Sequence, residues 1–194
     1  FFAPVAQATV TDVSCFGENN GRILVNLTGG SPVFGFSWSN NSTTPKIENL
    51  PPGNYTLTLT YADKKCSQVF DYQIKEALPL VLSATAHAAV CKGGLGGSID
   101  LTIQNGVAPL TFLWSNNAVS EDLSNLPKGI YQVTVSDAQG CTQTFVQNVA
   151  EEPNITLSIA TQALRCAGES DGQIQLTTSG GVPPFSFKWS NGGS

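Results

Sequence analysis

The sequence predicts an all-β chain of tandem sandwich modules, each about 75 residues long and held by one disulfide. Three observations carry this. One set of motifs recurs three times at a near-constant interval. Between the motifs lie short runs in which apolar residues alternate with period two. Gly- and Pro-rich turns separate those runs, and no window of useful length carries the 3.6-residue apolar stripe of a helix.

The repeat sets the organisation. Cys15, Cys91 and Cys166 mark its three copies, and Trp38, Trp114 and Trp189 keep the same two intervals. A glycine follows each of those cysteines by six residues, at Gly21, Gly97 and Gly172. "LPPGNYTLTLT" from Leu50 matches "LPKGIYQVTVS" from Leu126, and "CSQVF" from Cys66 matches "CTQTF" from Cys141. The chain therefore divides into a first repeat at 1–78, a second at 79–153 and the first half of a third at 154–194.

Each repeat reads as strands. Ile23, Val25 and Leu27 alternate with polar residues, as do Ile99, Leu101 and Ile103, and then Ile174 and Leu176. A second strand ends on each tryptophan: Phe34, Phe36, Trp38; Leu110, Phe112, Trp114; Phe185, Phe187, Trp189. Tyr55, Leu57, Leu59 and Tyr131, Val133, Val135 form a third. Phe70, Tyr72, Ile74 and Phe145, Gln147, Val149 supply a weaker last strand. Period two places each set on one face of a strand, turned toward a core. The stretches "IKEALPLVLS" and "VAEEPNITLS" read as short, strand-like linkers. Leu-Pro-x-Gly-x-Tyr at a strand start resembles the tyrosine corner of immunoglobulin-like sandwiches, so the modules are expected to be of that kind. The tryptophans fit a sandwich core, and the rival role is ligand stacking by Trp38, Trp114 and Trp189 as a platform for sugars.

Composition narrows the function classes. Charged residues make up 12% of the chain and the net charge is −5, with no cluster of Lys and Arg to neutralise phosphates, which argues against nucleic acid. No apolar run reaches the length that spans a bilayer. "FFAPVAQATV" is not an export signal, and with no methionine the sequence reads as an internal piece of a longer chain. Carboxylates do not recur in pairs, the single His87 reads as an ordinary strand residue, and no Cys-x-x-Cys occurs. The sequence thus predicts no enzyme, no metal and no cofactor. "GESDG" from Gly168 is the nearest approach to a calcium loop, but "GGLGG" from Gly93 lacks its oxygens.

Five cysteines at equivalent positions suit an oxidising compartment. Their positions suggest Cys15–Cys66 and Cys91–Cys141, one bond per complete repeat, with Cys166 unpaired within this stretch. On the loop-entropy account each such bond would contribute about 4 kcal/mol.

The whole pattern resembles the SprB repeat: Cys-x5-Gly-x-Ile, then Gly180 to Pro184 before Phe-x-Phe-x-Trp-Ser-Asn, Leu-Pro-x-Gly-x-Tyr, and Asp137-Ala138-x-Gly140-Cys141. The first repeat departs from it at "YADKKC" and "SPVFGF". The resemblance implies tandem arrays at the bacterial cell surface, export by the type IX system, and in the gliding adhesin that names the family, movement along the surface. The chain is thus expected to be a structural segment of a long extracellular stalk. Its partners would be neighbouring repeats and, further off, surface polysaccharide or the gliding and secretion machinery. The alternative is a carbohydrate-binding module using the tryptophans. The third repeat, without its later strands, is expected to expose Ile174, Leu176, Phe185 and Phe187 unless the parent chain or another molecule supplies the missing strands.

Overall fold

The computed structural model describes residues 5–29, 34–61, 66–90 and 93–192. Cys91, the turn at 30–33 and the side chain of Phe34 lie outside them. Fourteen strands and no helix make up the described chain. It forms two compact units, one of residues 1–82, 103–111 and 135–143, the other of 83–102, 112–134 and 144–194.

The first repeat builds two three-stranded sheets. β1 (Val5–Thr11), β2 (Gly21–Thr28) and β4 (Lys46–Leu50) form one in the order β1-β2-β4. β3 (Phe34–Trp38), β5 (Gly53–Tyr61) and β6 (Ser67–Ile74) form the other in the order β3-β5-β6. All four pairings are antiparallel. Ile23, Val25, Ile47 and Leu50 from the first sheet meet Trp38, Tyr55, Leu57, Leu59 and Ile74 from the second in one buried cluster. That is a sandwich, sealed because alternation delivers an apolar side chain to the inner face at every second residue. Ile23, Leu57 and Leu59 have no exposed surface, so truncating Leu57 to Ala is worth about 2–5 kcal/mol.

The second repeat repeats this plan. β7 (Val81–His87), β8 (Gly97–Gln104) and β10 (Leu123–Leu126) make one sheet; β9 (Thr111–Trp114), β11 (Gly129–Ser136) and β12 (Thr142–Val149) make the other. Ile99, Leu101, Leu123, Leu126, Trp114, Tyr131, Val133, Val135 and Val149 are buried. Two expectations need adjusting. The stretches read as linkers end in strands: β7 begins at Val81 and β13 (Thr156–Gln162) at Thr156, each the first strand of its sheet. β4 and β10 were not legible, because their buried residues are three apart (Ile47 and Leu50, Leu123 and Leu126) and a register shift interrupts the pairing. Asn49 and Asn125, with φ of 55° and 57°, sit at those shifts.

The third repeat holds one hairpin, β13 with β14 (Gln173–Ser179). The expected strand over Phe185–Trp189 is not formed. In the complete repeats the tryptophan strand pairs with the strand that starts at Leu-Pro-x-Gly-x-Tyr, as β3 does with β5, and that partner is not in this sequence. Ile174 and Phe187 are exposed as expected, while Leu176 and Phe185 are half-buried.

Candidate functional site

Two recurring motifs prove to be folding devices. Trp-Ser-Asn closes a tight turn: Asn41 N–H donates to the Trp38 carbonyl and Trp38 N–H to the Ser42 carbonyl, both at 2.9 Å. The turn needs a left-handed residue, and Asn41 (φ 66°), Asn117 (φ 67°) and Gly192 (φ 85°) fill the three copies, residue types that tolerate it. The turn drives the indole inward, where Trp38 Nε1 donates to the Thr44 carbonyl at 2.8 Å and Trp114 Nε1 to the Ser120 carbonyl at 2.9 Å. With 3% and 1% of their surface exposed, Trp38 and Trp114 offer no face to a sugar. This corrects the ligand-stacking reading for those two residues; Trp189 is half-buried.

The tyrosine corner is present in both complete repeats. Tyr55 Oη donates to the Pro51 carbonyl at 2.8 Å and Tyr131 Oη to the Pro127 carbonyl at 3.0 Å. Burial pushes the Tyr55 hydroxyl above its ordinary pKa, so it stays the donor. The glycine six residues after the first cysteine has a packing reason in the two complete repeats. A Cβ on Gly21 would lie 2.8 Å from Ile74 Cγ2 and 2.9 Å from the Leu50 carbonyl; on Gly97 it would meet Val149 Cγ1 and the Leu126 carbonyl.

What these devices leave over is the cysteines. The structure joins Cys15 to Cys141, with Sγ–Sγ 2.11 Å and Cα–Cα 5.5 Å, across 126 residues of sequence. Cys66 and Cys166 are free and exposed. The expected Cys15–Cys66 bond is therefore replaced, and Cys141 is taken by Cys15 rather than by Cys91. The reason is the length of the sandwich. Cys15 lies between the end of β1 and the start of β2, beside the Gly53–Ile74 end of the other sheet, where Gly17 N–H donates to Glu76 Oε1 at 2.8 Å. Cys66 follows the opposite end of β5, where Thr60 pairs with Ser67. Nine residues of β5 separate the two ends, about 26 Å at roughly 3.3 Å per residue, whereas bonded cysteines need Cα atoms within about 7 Å. Equal spacing in each repeat suggested a bond inside the repeat, but spacing along the chain says nothing of which end of a sandwich a residue occupies.

Both loops that meet at this bond are held by their backbones, and both belong to the first compact unit. On the Cys15 side, Ser14 N–H donates to Asn20 Oδ1 at 3.0 Å, Glu18 N–H to the Cys15 carbonyl at 3.1 Å, and Lys75 N–H to Asp12 Oδ1 at 2.8 Å. On the Cys141 side, Asp137 Oδ1 accepts from Gln139 and Cys141 N–H, both at 2.9 Å, and Asp137 Oδ2 from Val107 N–H at 3.3 Å. Partial burial raises the Asp137 carboxyl, but backbone donors from Cys141, Val107, Gln139 and Gly140 outweigh it and hold the pKa below 3.8. The Cys15 and Cys141 side chains are half-buried, and a cleft of about 580 Å³ runs beside them, lined by Asp12, Phe16, Lys75, Leu78, Asn105 and Asp137.

The SprB repeat model matches this chain three times, at residues 7–43, 84–119 and 158–194, together more than half of its length. The chain belongs to the SprB repeat family. Each match runs over the cysteine, the glycine six residues on and the tryptophan, so the loop that carries Cys15 lies inside the family-defining stretch and the turn that carries Cys141 lies outside it. SprB repeats are structural repeats rather than enzymes. No curated protein matches the chain. Among solved structures, an amphioxus IgVJ-C2 molecule aligns at 15% identity and TM-score 0.30, covering 74% of this chain and 96% of its own. Domains 4–9 of the surface layer protein SbsC align at 13% and 0.34, covering 98% of this chain, which spans 37% of that one.

Within these SprB repeats, bonds of the described residues around the first cysteine recur. Gly93 N–H reaches Glu151 Oε1 in the second repeat as Gly17 reaches Glu76 in the first, and the two glutamates stand one repeat apart. In the third, Glu169 N–H donates to the Cys166 carbonyl at 3.2 Å and Arg165 N–H to Asp171 Oδ1 at 3.2 Å. Glu76 and Asn20 had no chemistry to mark them in the sequence, where only the return of Glu76 as Glu151 was there to be read; Asp137 was visible as part of the Asp-Ala-x-Gly-Cys motif, but not as the acceptor that holds the Cys141 turn. Among the described residues no group of three or more His, Cys, Asp or Glu could hold a metal ion.

Proposed function

We propose that this chain is a structural segment of an extracellular, cell-surface adhesin, and that its work is to extend and display rather than to catalyse. The observation that carries the reading is the Cys15–Cys141 bond, which ties the first loop of one repeat to the last hairpin of the next. A pull on the chain ends passes through that bond and bypasses β2 to β11, so those ten strands cannot be drawn out and, of the two sandwiches, only β1 and β12 lie on the pulled segments. An oxidising exterior suits such a bond. The cores suit a load-bearing role, being apolar throughout among the described residues. The division at 1–78, 79–153 and 154–194 is part of the proposal, with neighbouring repeats as the first partners. Export by the type IX system, contact with surface polysaccharide and, in gliding cells, movement by the motility machinery extend it. Antibodies to this segment should label intact cells of the source organism, and external protease should remove the label. Labelling that appears only after lysis would sink the proposal.

A further inference from the structure

We infer that Cys66 is a second covalent docking point, which takes the first-position cysteine of another SprB repeat so that each repeat is bonded to the next one along. The inference rests on the structural reading above and names the partner that reading leaves open. Four observations lead to it.

The Cys15–Cys141 bond defines a rule: the cysteine after the first strand of one repeat joins the cysteine at the last hairpin of the following repeat. Cys66 is the equivalent of Cys141. Tyr61 N–H donates to the Cys66 carbonyl at 3.2 Å, as Asp137 N–H donates to the Cys141 carbonyl at 3.0 Å, so a backbone bond to the cysteine closes both hairpins, the first across one residue more. Cys166 is the equivalent of Cys15. The turns Glu169 N–H to Cys166 and Glu18 N–H to Cys15 match, and so do the side-chain caps from Asp171 and Asn20. Finally, Cys66 and Cys166 are exposed thiols, and the length of a sandwich keeps Cys66 from Cys15 of its own repeat.

The occupant of Cys66 is therefore a cysteine in a loop of the Cys15 type. Cys166 of a second copy of this chain is such a cysteine, so two copies are expected to join head to tail. Bond formation removes two protons and two electrons from the two thiols. A small disulfide such as oxidised glutathione accepts them and leaves as two thiols.

The test uses the 194-residue chain itself, oxidised at high concentration in a glutathione buffer and digested by trypsin without reduction. Each cysteine falls in its own tryptic peptide: 1–22, 66–75, 76–92, 129–165 and 166–188. The expected result is 1–22 linked to 129–165 within one chain, and 66–75 linked to 166–188 between chains. C66S should abolish the covalent oligomers and leave the Cys15–Cys141 peptide pair intact, which also shows that the variant has folded. Cys66 bonded to Cys15, Cys66 bonded only to another Cys66, or Cys66 still a thiol after exhaustive oxidation would each overturn the inference. The last of these, with Cys15–Cys141 formed, leaves the structural reading standing; loss of surface labelling on cells is what removes that reading.

Discussion

Cutting the Cys15–Cys141 bond should lengthen the chain under force in a single step. The perturbation is reduction with a thiol, or C15S, on a chain pulled from its two ends. While the bond is closed, its Cα atoms are 5.5 Å apart and the 126-residue span between them cannot extend. Once it opens, that span adds about 420–450 Å at roughly 3.3–3.6 Å per residue. One bond inside each repeat would instead hide the shorter spans from Cys15 to Cys66 and from Cys91 to Cys141, and release about 170–180 Å twice. Single-molecule force spectroscopy with and without reductant separates the two patterns readily. The same bond, on the loop-entropy account, stabilises the folded chain by about 5 kcal/mol for a loop of 126 residues. Two such shorter increments, or no change on reduction, would refute the reasoning.

Other outcomes follow from single contacts. G21A places a Cβ within 3 Å of the Leu50 carbonyl and Ile74, and chemical denaturation should show a loss of about 1–3 kcal/mol, whereas G172A, with Leu164 Cδ2 at 3.2 Å as its nearest neighbour, should cost less. Y131F removes the hydroxyl bonded to the Pro127 carbonyl and should cost about 1 kcal/mol, read in the same assay. Acrylamide should quench native tryptophan fluorescence in two parts, with Trp38 and Trp114 protected and half-buried Trp189 accessible; uniform, ready quenching would restore weight to sugar stacking. The Asp137 carboxyl has a folded pKa below its ordinary 3.8, so its contribution is fully present above 3.8 and lost as pH falls through the lower folded value. D137N should flatten that acid limb of the melting profile; an unchanged limb would show that Asp137 does not hold the Cys141 turn.

How much was legible follows from what period and spacing encode. Alternation placed Ile23, Val25, Leu57, Leu59, Val133 and Val135 in cores because a strand has only two faces and each was written with one residue type per face. Leu-Pro-x-Gly-x-Tyr was readable because its tyrosine bonds four residues back, a local fact. β4 and β10 escaped because a bulge breaks the alternation within five residues. The pairing of Cys15 escaped for another reason. Two cysteines at fixed offsets in every repeat are equally consistent with a bond inside each repeat and one to the next. Only the direction of β5, which carries the chain from the Cys15 end of the sandwich to the Cys66 end, decides between them.

Non-reducing peptide mapping of the protein released from the cell surface tests the central claim most directly, because trypsin leaves one cysteine in each peptide. The account predicts that the tryptic peptide ending at Arg22, which carries Cys15, is recovered bonded to peptide 129–165, which carries Cys141. Recovery of the Cys15 peptide bonded to 66–75 would contradict it, since that bond would close the first repeat on itself and leave no covalent tie from it to the next.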